Sequence, residues 1–423
     1  MNKIWRPFTQ EKTMPKSVKA VAARGSYIFD EYGKKYLDLI SSWWVTLHGH
    51  GNEEIASSIY EQAKKMEHVI FTKFSHDPAE QICERLSRVL HKNLCNFFFS
   101  DNGSTAVEVA LKMSYQYWIN RGVCGKSKFV SFLGGYHGDT FGAMSVTDGY
   151  HDVFSELCFE SFRISWPHTW MGDNHVEGKE KAAIGEYKKC LQEHASSIAA
   201  IIMEPIIQGA GGMRVVRPEF LRQIIELSKE NNIIVICDEV MTGFFRTGKM
   251  FAHEYINDGC EDKYVPDILC MSKGLTGGFL PLSATVTSQE MYDAFLGDTF
   301  ATAFVHGHSY TANPIACAAA IASFDILQRD ESKKNIENIA ATHKHWAPEL
   351  AKAEMISHVR TIGTIAAFEL NLSKEKIAAL ISGMFEQGFF IRPLGNVIYL
   401  LPPYTTTSEE LNSTYAELLK ILS

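Results

Sequence analysis

Lys273 stands where a strand-like apolar run, "ILCM" (268–271), meets a loop rich in glycine, "SKGLTGG". Burying an unpaired ammonium is costly, so a lysine at the end of a buried strand needs a reason. Chemistry is one. Desolvation lowers a lysine's pKa, and the free amine then attacks carbonyls to form a Schiff base. The plain alternative is a surface lysine in a loop. Gly274, Gly277 and Gly278 argue against it by leaving room for a flat ligand or a second backbone. Another apolar run, "IIVIC" (233–237), ends in Asp238 and Glu239. Parallel sheets bind ligands beyond the carboxyl ends of their strands, so a carboxylate here could hold a cation, either Mg²⁺ or a protonated ring nitrogen. A helix cap or a core ion pair would use the same two residues.

In "FFFSDNGSTAVEVALKM" a strand runs into Asp-Asn-Gly-Ser and then a helix with Val107, Leu111 and Ser114 on one side. A helix N-terminus binds phosphate through free N–H groups and the dipole, with Gly103 giving the turn and Ser104 a hydroxyl. Thr105 and Glu108 have the T-x-x-E spacing of an ordinary capping box, which is the competing reading. Neither G-x-G-x-x-G nor a Walker lysine is present, which disfavours dinucleotides and nucleoside triphosphates. Tyr136 and His137, in "FLGGYHGDT", follow a strand and a glycine pair, where an exposed ring could stack on a planar cofactor or simply line a turn. His48 and His50 lack further ligands nearby, and no metal site is expected. A phosphate cradle, a stacking aromatic, a strand-end carboxylate and a Schiff-base lysine together suit pyridoxal 5′-phosphate.

These residues need a scaffold. Apolar runs at 96–99, 128–132, 198–203, 233–237 and 267–271 read as strands of a sheet covered on both faces. Amphipathic segments lie between them, such as "RPEFLRQIIELSKENN" with Phe220, Ile224 and Leu227 on one face. This alternation predicts an α/β fold with a mostly parallel sheet. "SYIFDEYGKKYLDL" reads as a hairpin around Tyr32-Gly33. The stretch after residue 325 reads as helices followed by short strands in "TIAAFEL", "FFIRPL" and "VIYLLPP". The expected division is a large domain at 45–320 and a smaller α+β domain from 1–44 and 321–423. The 423 residues carry a net charge of −8 and nine scattered cysteines without a C-x-x-C pair. That composition offers no footprint for nucleic acid or an acidic membrane, and it suits a reducing compartment. The opening residues lack the apolar core of a secretory signal, and no run is long enough to span a bilayer, so a cytoplasmic location is expected.

"DEVMTGFFRTG" followed by "SKGLTGG" resembles the class-III aminotransferases of pyridoxal-phosphate fold type I. Within that class, "IWRPFTQ", "SSWWVTLHGHGN", "GGYHGDTFGAMSV", "HGHSYTANPIACAAA" and "IRPLGNVIYLLPPY" are similar to the branch that aminates 8-amino-7-oxononanoate in biotin biosynthesis. These motifs run from Ile4 to Tyr404. The resemblance implies a homodimer with shared active sites, S-adenosyl-L-methionine as amino donor, and ping-pong turnover through pyridoxamine phosphate. It places Gly103 and Ser104 at the cofactor phosphate, Tyr136 over the ring, Asp238 at the pyridine nitrogen and Lys273 on the cofactor aldehyde. The "HGHSYT" loop would cross the dimer interface, with Gly307 near substrate and His308 and Ser309 at the partner's phosphate. Trp43 and Trp44 would wall the substrate pocket, with Asp139 and Arg246 as further recognition residues. Arg392 would bind the acceptor's carboxylate, which a planar guanidinium suits.

Three departures matter. The family often has Pro-Thr where this chain has His308-Ser309, and serine keeps the hydroxyl. Ala210 replaces the glutamate found in ornithine and 4-aminobutyrate aminotransferases, which sets the chain apart from them. Phe8 stands where the branch often has tyrosine, so lysine as donor is an alternative, as is a broad ω-aminotransferase acting on diamines. Trp43 favours S-adenosylmethionine, whose sulfonium an indole would attract.

Overall fold

The structure, a computed structural model, describes residues 3–14, 17–149, 152–260 and 263–422. Its centre is a seven-stranded sheet in the order Asn96–Ser100, Ser283–Thr287, Ile268–Met271, Ile234–Asp238, Ile198–Met203, Lys128–Phe132, Phe162–Ile164. Ser283–Thr287 runs antiparallel to both neighbours. The other pairings are parallel. The five apolar runs thus form strands, and Ile198–Met203 is buried at every position, as a doubly covered strand must be. Two strands of this sheet have no clear signal in the sequence. Phe162–Ile164 is only three residues long, and "SATVT" carries small polar residues that hide its burial.

The helix Gly103–Asn120 packs on Ile268–Met271 and Ser283–Thr287 and buries Val107, Leu111 and Ser114. Its cap is Asn102, whose side chain accepts from Thr105 N–H at 3.0 Å, while Thr105 Oγ1 accepts from Asn102 N–H at 3.2 Å. The capping box is therefore Asn102–Thr105, one turn before the competing Thr105–Glu108 reading. Glu108 instead accepts from the N–H groups of Gly142 and Ala143 and caps the short helix Phe141–Ser145. Pro218–Glu230 buries Phe220, Leu221, Ile224 and Ile225, with Leu227 only at the rim of that face. Each such side chain contributes about 1.5–3 kcal/mol by leaving water.

The chain ends meet. Tyr27–Asp30 and Lys35–Asp38 form the expected hairpin, and Phe389–Phe390 adds a parallel strand to Lys35–Asp38. Ile356–Ile362, Ile365–Leu370 and Val397–Leu400 make a separate antiparallel sheet. A polar chain of contacts ties the helices Asp330–Ala351 and Ser408–Leu422 inward. His343, fully buried, bonds Tyr415 Oη through Nδ1 at 2.7 Å and Thr364 O through Nε2 at 3.2 Å. Thr364 in turn donates from both N–H and Oγ1 to Arg246 O. His48 pairs with Ser323 and His50 with Asp38, so the two histidines serve different neighbours. Among the described residues no helix is long and apolar enough to cross a membrane.

Burial pushes His343 and His48 down to about 4. Both are neutral in the fold, whereas the unfolded chain protonates them below about pH 6.5. The stability they support is complete above that pH and falls as pH drops toward 4, by about 1.4 kcal/mol per pH unit for each histidine. Urea midpoints measured from pH 7 to 4 should fall accordingly, and His343→Gln should flatten the slope. An equal slope in the variant would remove His343 from the account.

Candidate functional site

Three neighbouring strands end in chemistry. Ile198–Met203 leads into Glu204, Ile234–Asp238 ends in Asp238, and Ile268–Met271 leads through Ser272 to Lys273. All three residues line one cavity of about 620 Å³. The N-terminus of Gly103–Asn120 adds Asn102, Gly103 and Ser104, and the loop after Lys128–Phe132 adds Tyr136, His137 and Asp139. The first N–H groups of that helix lack intrahelical acceptors, so the cavity has an anion-binding end. Gly103 is required by close approach: a Cβ there would lie 2.6 Å from Val240 Cγ1.

The adjacent acids divide their work. Asp238 is 4% exposed. Its Oδ2 meets His137 Nδ1 at 2.7 Å, and its Oδ1 accepts from Val240 N–H at 3.1 Å. Glu239 turns away and is saturated by the N–H groups of Ala252 and His253, the His253 ring and Thr242 Oγ1. It is the cap, and Asp238 is the acid facing the cavity.

Burial holds the Lys273 ammonium below the ordinary lysine range, against the pull of Asp238 and Glu204. Its Nζ lies 5.2 Å from the centre of the Trp44 ring. Lys273 itself has a left-handed backbone, φ +41°. Glu204 Oε1 accepts from Gly209 N–H at 2.8 Å and Oε2 from Tyr136 N–H at 3.0 Å. Burial pushes the Glu204 carboxyl up to about 7; His137 opposes the shift and Asp238 adds to it. Tyr136 Oη donates to Asp139 Oδ2 at 3.0 Å, and burial raises its phenol above the usual range. The glycines after Lys273 make room for protein, and Gly278 also lines the cavity. A Cβ on Gly277 would lie 2.9 Å from His48, and one on Gly278 2.9 Å from the Val45 carbonyl group.

A second cavity, about 600 Å³, is lined by Phe8, Trp43 and Arg392 together with Arg6, Ile40 and Phe390. The Arg392 guanidinium lies 4.2 Å from the centre of the Trp43 ring, and Phe8 meets Trp43 edge-on at 5.8 Å. No carboxylate among the described residues pairs with Arg392. Between the cavities runs Ser41–Trp44, with φ of +49°, +45°, +74° and +74°. Four successive left-handed residues without a glycine cost roughly 1–2 kcal/mol each, so surrounding contacts must hold them. Trp44 faces the lysine and Trp43 the arginine.

Arg246 lies outside both cavities. It is 1% exposed, and its guanidinium donates to Pro402 O and Thr46 O at 2.9 Å and to Trp44 O at 3.4 Å. It braces the turn from behind through these carbonyls, and its Nε has no hydrogen-bond partner among the described residues. Gly307 and Ser309 are exposed and His308 half-buried, and none lines either cavity of its own chain.

The class-III aminotransferase family matches residues 8–422. The chain is a class-III aminotransferase. It is 44% identical to the adenosylmethionine-8-amino-7-oxononanoate aminotransferase of Synechococcus elongatus, over 99% of this chain and 98% of that protein. The crystal structure of the Methanocaldococcus jannaschii enzyme of the same name superimposes with a TM-score of 0.91 at 35% identity, covering 99% of this chain and 96% of that one. An amine transaminase from an uncultivated Pseudomonas species, solved with pyridoxal phosphate bound, gives 0.92 at 29% identity, covering 100% and 98%.

This aminotransferase is therefore a pyridoxal-phosphate enzyme of fold type I, and its cavity fits that cofactor. The helix N-terminus suits the phosphate, the His137-anchored carboxylate of Asp238 suits a protonated ring nitrogen, and the desolvated Lys273 suits the aldehyde. Sequence reasoning missed Glu204, although its signal matched that of Asp238: an acid directly after a fully apolar strand, "IAAIIME".

The division between the two adjacent acids is testable. Asp238→Asn should keep the fold and lower the transamination rate at least 10²-fold, the scale of one misplaced proton-handling group. Glu239→Gln should instead lower the thermal midpoint, because it leaves a buried donor unpaired at about 1–3 kcal/mol. Reversed phenotypes would reverse the assignment.

Proposed function

We propose that the enzyme moves an amino group from S-adenosyl-L-methionine to the ketone of 8-amino-7-oxononanoate, giving 7,8-diaminononanoate on the route to biotin. One observation carries the reading: the likeness to enzymes of that name runs the length of the chain. The geometry agrees with it. An arginine without a carboxylate partner waits beside Trp43, next to the lysine cavity, where a long acceptor could place its carboxylate away from its ketone.

Pyridoxal phosphate, when bound, supplies a carbonyl to carry the amino group and a ring to take up the electron pair of the donor's Cα–H bond. The chain does the rest. Gly103 and Ser104 would hold the phosphate at the helix N-terminus, and Asp238, fixed by His137, would keep the proton on the ring nitrogen. Tyr136, its hydroxyl oriented by Asp139, would offer its ring to the cofactor. Lys273, its ammonium disfavoured by burial, takes the Cα proton in the donor half-reaction and returns one in the acceptor half-reaction. Trp44 walls the lysine, Trp43 and Phe8 wall the substrate, and Arg392 pairs with the acceptor carboxylate. The same reading makes the protein a cytoplasmic homodimer. Gly307, His308 and Ser309 would then complete the partner's site, in keeping with their distance from their own cavity.

A donor screen with 8-amino-7-oxononanoate as acceptor tests the reaction. S-adenosylmethionine should support formation of 7,8-diaminononanoate, and Arg392→Ala should raise the acceptor KM about tenfold to a hundredfold while sparing the donor half-reaction. Turnover with lysine and none with S-adenosylmethionine would replace the donor. Turnover of simple diamines but not of 8-amino-7-oxononanoate would replace the acceptor.

A further inference from the structure

The left-handed turn at Ser41–Trp44 carries the two indoles that separate the cavities, and its Ser42 hydroxyl is tied to Asp38. That carboxylate is fully buried at the end of Lys35–Asp38. Its Oδ2 accepts from Ser42 Oγ at 2.7 Å and meets His50 Nε2 at 3.0 Å, while Oδ1 accepts from Ile40 N–H at 3.2 Å. Hydrogen bonds from His50 and Ser42 hold it below the usual carboxylate range despite the cost of burial. The rest of the turn is fastened to other parts of the chain. Ser41 Oγ donates to Leu401 O at 2.7 Å, and Trp44 Nε1 donates to Tyr399 Oη at 3.1 Å. Ser42 and Trp43 are the members that none of those anchors reaches. Trp43 is 38% exposed, and it meets the Arg392 guanidinium and the Phe8 ring. The Asp38–Ser42 bond is the hydrogen bond that fastens the turn next to Trp43.

We propose that Asp38 is a positioning residue for substrate recognition: through Ser42 it fixes the Trp43 indole, and through Trp43 the guanidinium of Arg392. The unusual backbone gives this link its purpose. A strained turn relaxes when its tether is cut, and relaxation there would move Trp43 before it moved Trp44, which Tyr399 and Arg246 hold independently. Damage should therefore fall on the arginine cavity and spare the lysine cavity. The inference rests on the proposed acceptor only for the choice of assay substrate.

The test uses the cofactor-loaded enzyme and three variants: Ser42→Ala cuts the tether, Asp38→Ala removes its anchor, and Asp38→Asn keeps an isosteric hydrogen-bonding group. The first readout needs no substrate. Acrylamide quenching of tryptophan fluorescence should increase in Ser42→Ala and Asp38→Ala, and the increase should vanish when Trp43→Phe is added. The second readout is kinetic. The KM for 8-amino-7-oxononanoate should rise about tenfold in Ser42→Ala, with cofactor absorbance retained and kcat within about threefold of wild type. Asp38→Asn should recover most of both effects. Wild-type quenching in Ser42→Ala overturns the proposal, as does a wild-type acceptor KM in that variant. If Asp38→Ala does not fold, Ser42→Ala decides alone. If the wild-type enzyme does not aminate 8-amino-7-oxononanoate, the proposed function fails, and Trp43 quenching still decides this inference.

Discussion

An amine kept unpaired next to two carboxylates is the constraint on which the site depends. Lys273 shares its cavity with Asp238 and Glu204, yet its ammonium lies over the Trp44 ring, with no ion pair to either acid. A direct salt bridge would stabilise the ammonium and remove the nucleophile. The fold prevents it by giving each acid another partner. His137 and the Val240 N–H occupy Asp238, and the N–H groups of Tyr136 and Gly209 occupy Glu204. Parallel strands bring this about, since neighbouring strands that run the same way end at the same edge and set three reactive side chains within one cavity.

The chain termini supply the second constraint. The turn that carries both indoles is strained, and residues distant in sequence hold it: Leu401 and Tyr399 from the C-terminal sheet, Arg246 from the loop after Asp238, and Asp38 from the N-terminal hairpin. Arg246 is itself fastened through Thr364 to His343 and Tyr415. His343, Thr364 and Arg246 thus form one buried polar path behind the turn.

Much of this was legible in the sequence, because strands with apolar residues on both faces announce a covered parallel sheet, and a charged residue after such a strand stands out. Lys273 and Asp238 stand out that way, Gly103 by its place at a helix start and Tyr136 by its place after a glycine pair, and they share one cavity. Glu204 carries the same signal as Asp238. Other features had no local signature. Nothing in "SSWW" announces four left-handed residues, because apart from the Asp38 bond to Ser42 the hydrogen bonds that fasten them to other parts of the fold come from positions hundreds of residues away. Arg246 enters as a recognition residue only through the family resemblance, and nothing local in the sequence says that its guanidinium meets three backbone carbonyls. Glu108 has cap spacing to Thr105 but caps a different helix, which only the close approach of that helix reveals.

The central claim is that Lys273, and no other lysine, is the amine poised for the cofactor. Borohydride reduction of the pyridoxal-phosphate enzyme, followed by peptide mapping, tests it directly. The account predicts one pyridoxyl-modified peptide, carrying the label at Lys273, and no fixed cofactor in Lys273→Ala. Label at a different lysine, or undiminished fixation in Lys273→Ala, would contradict it.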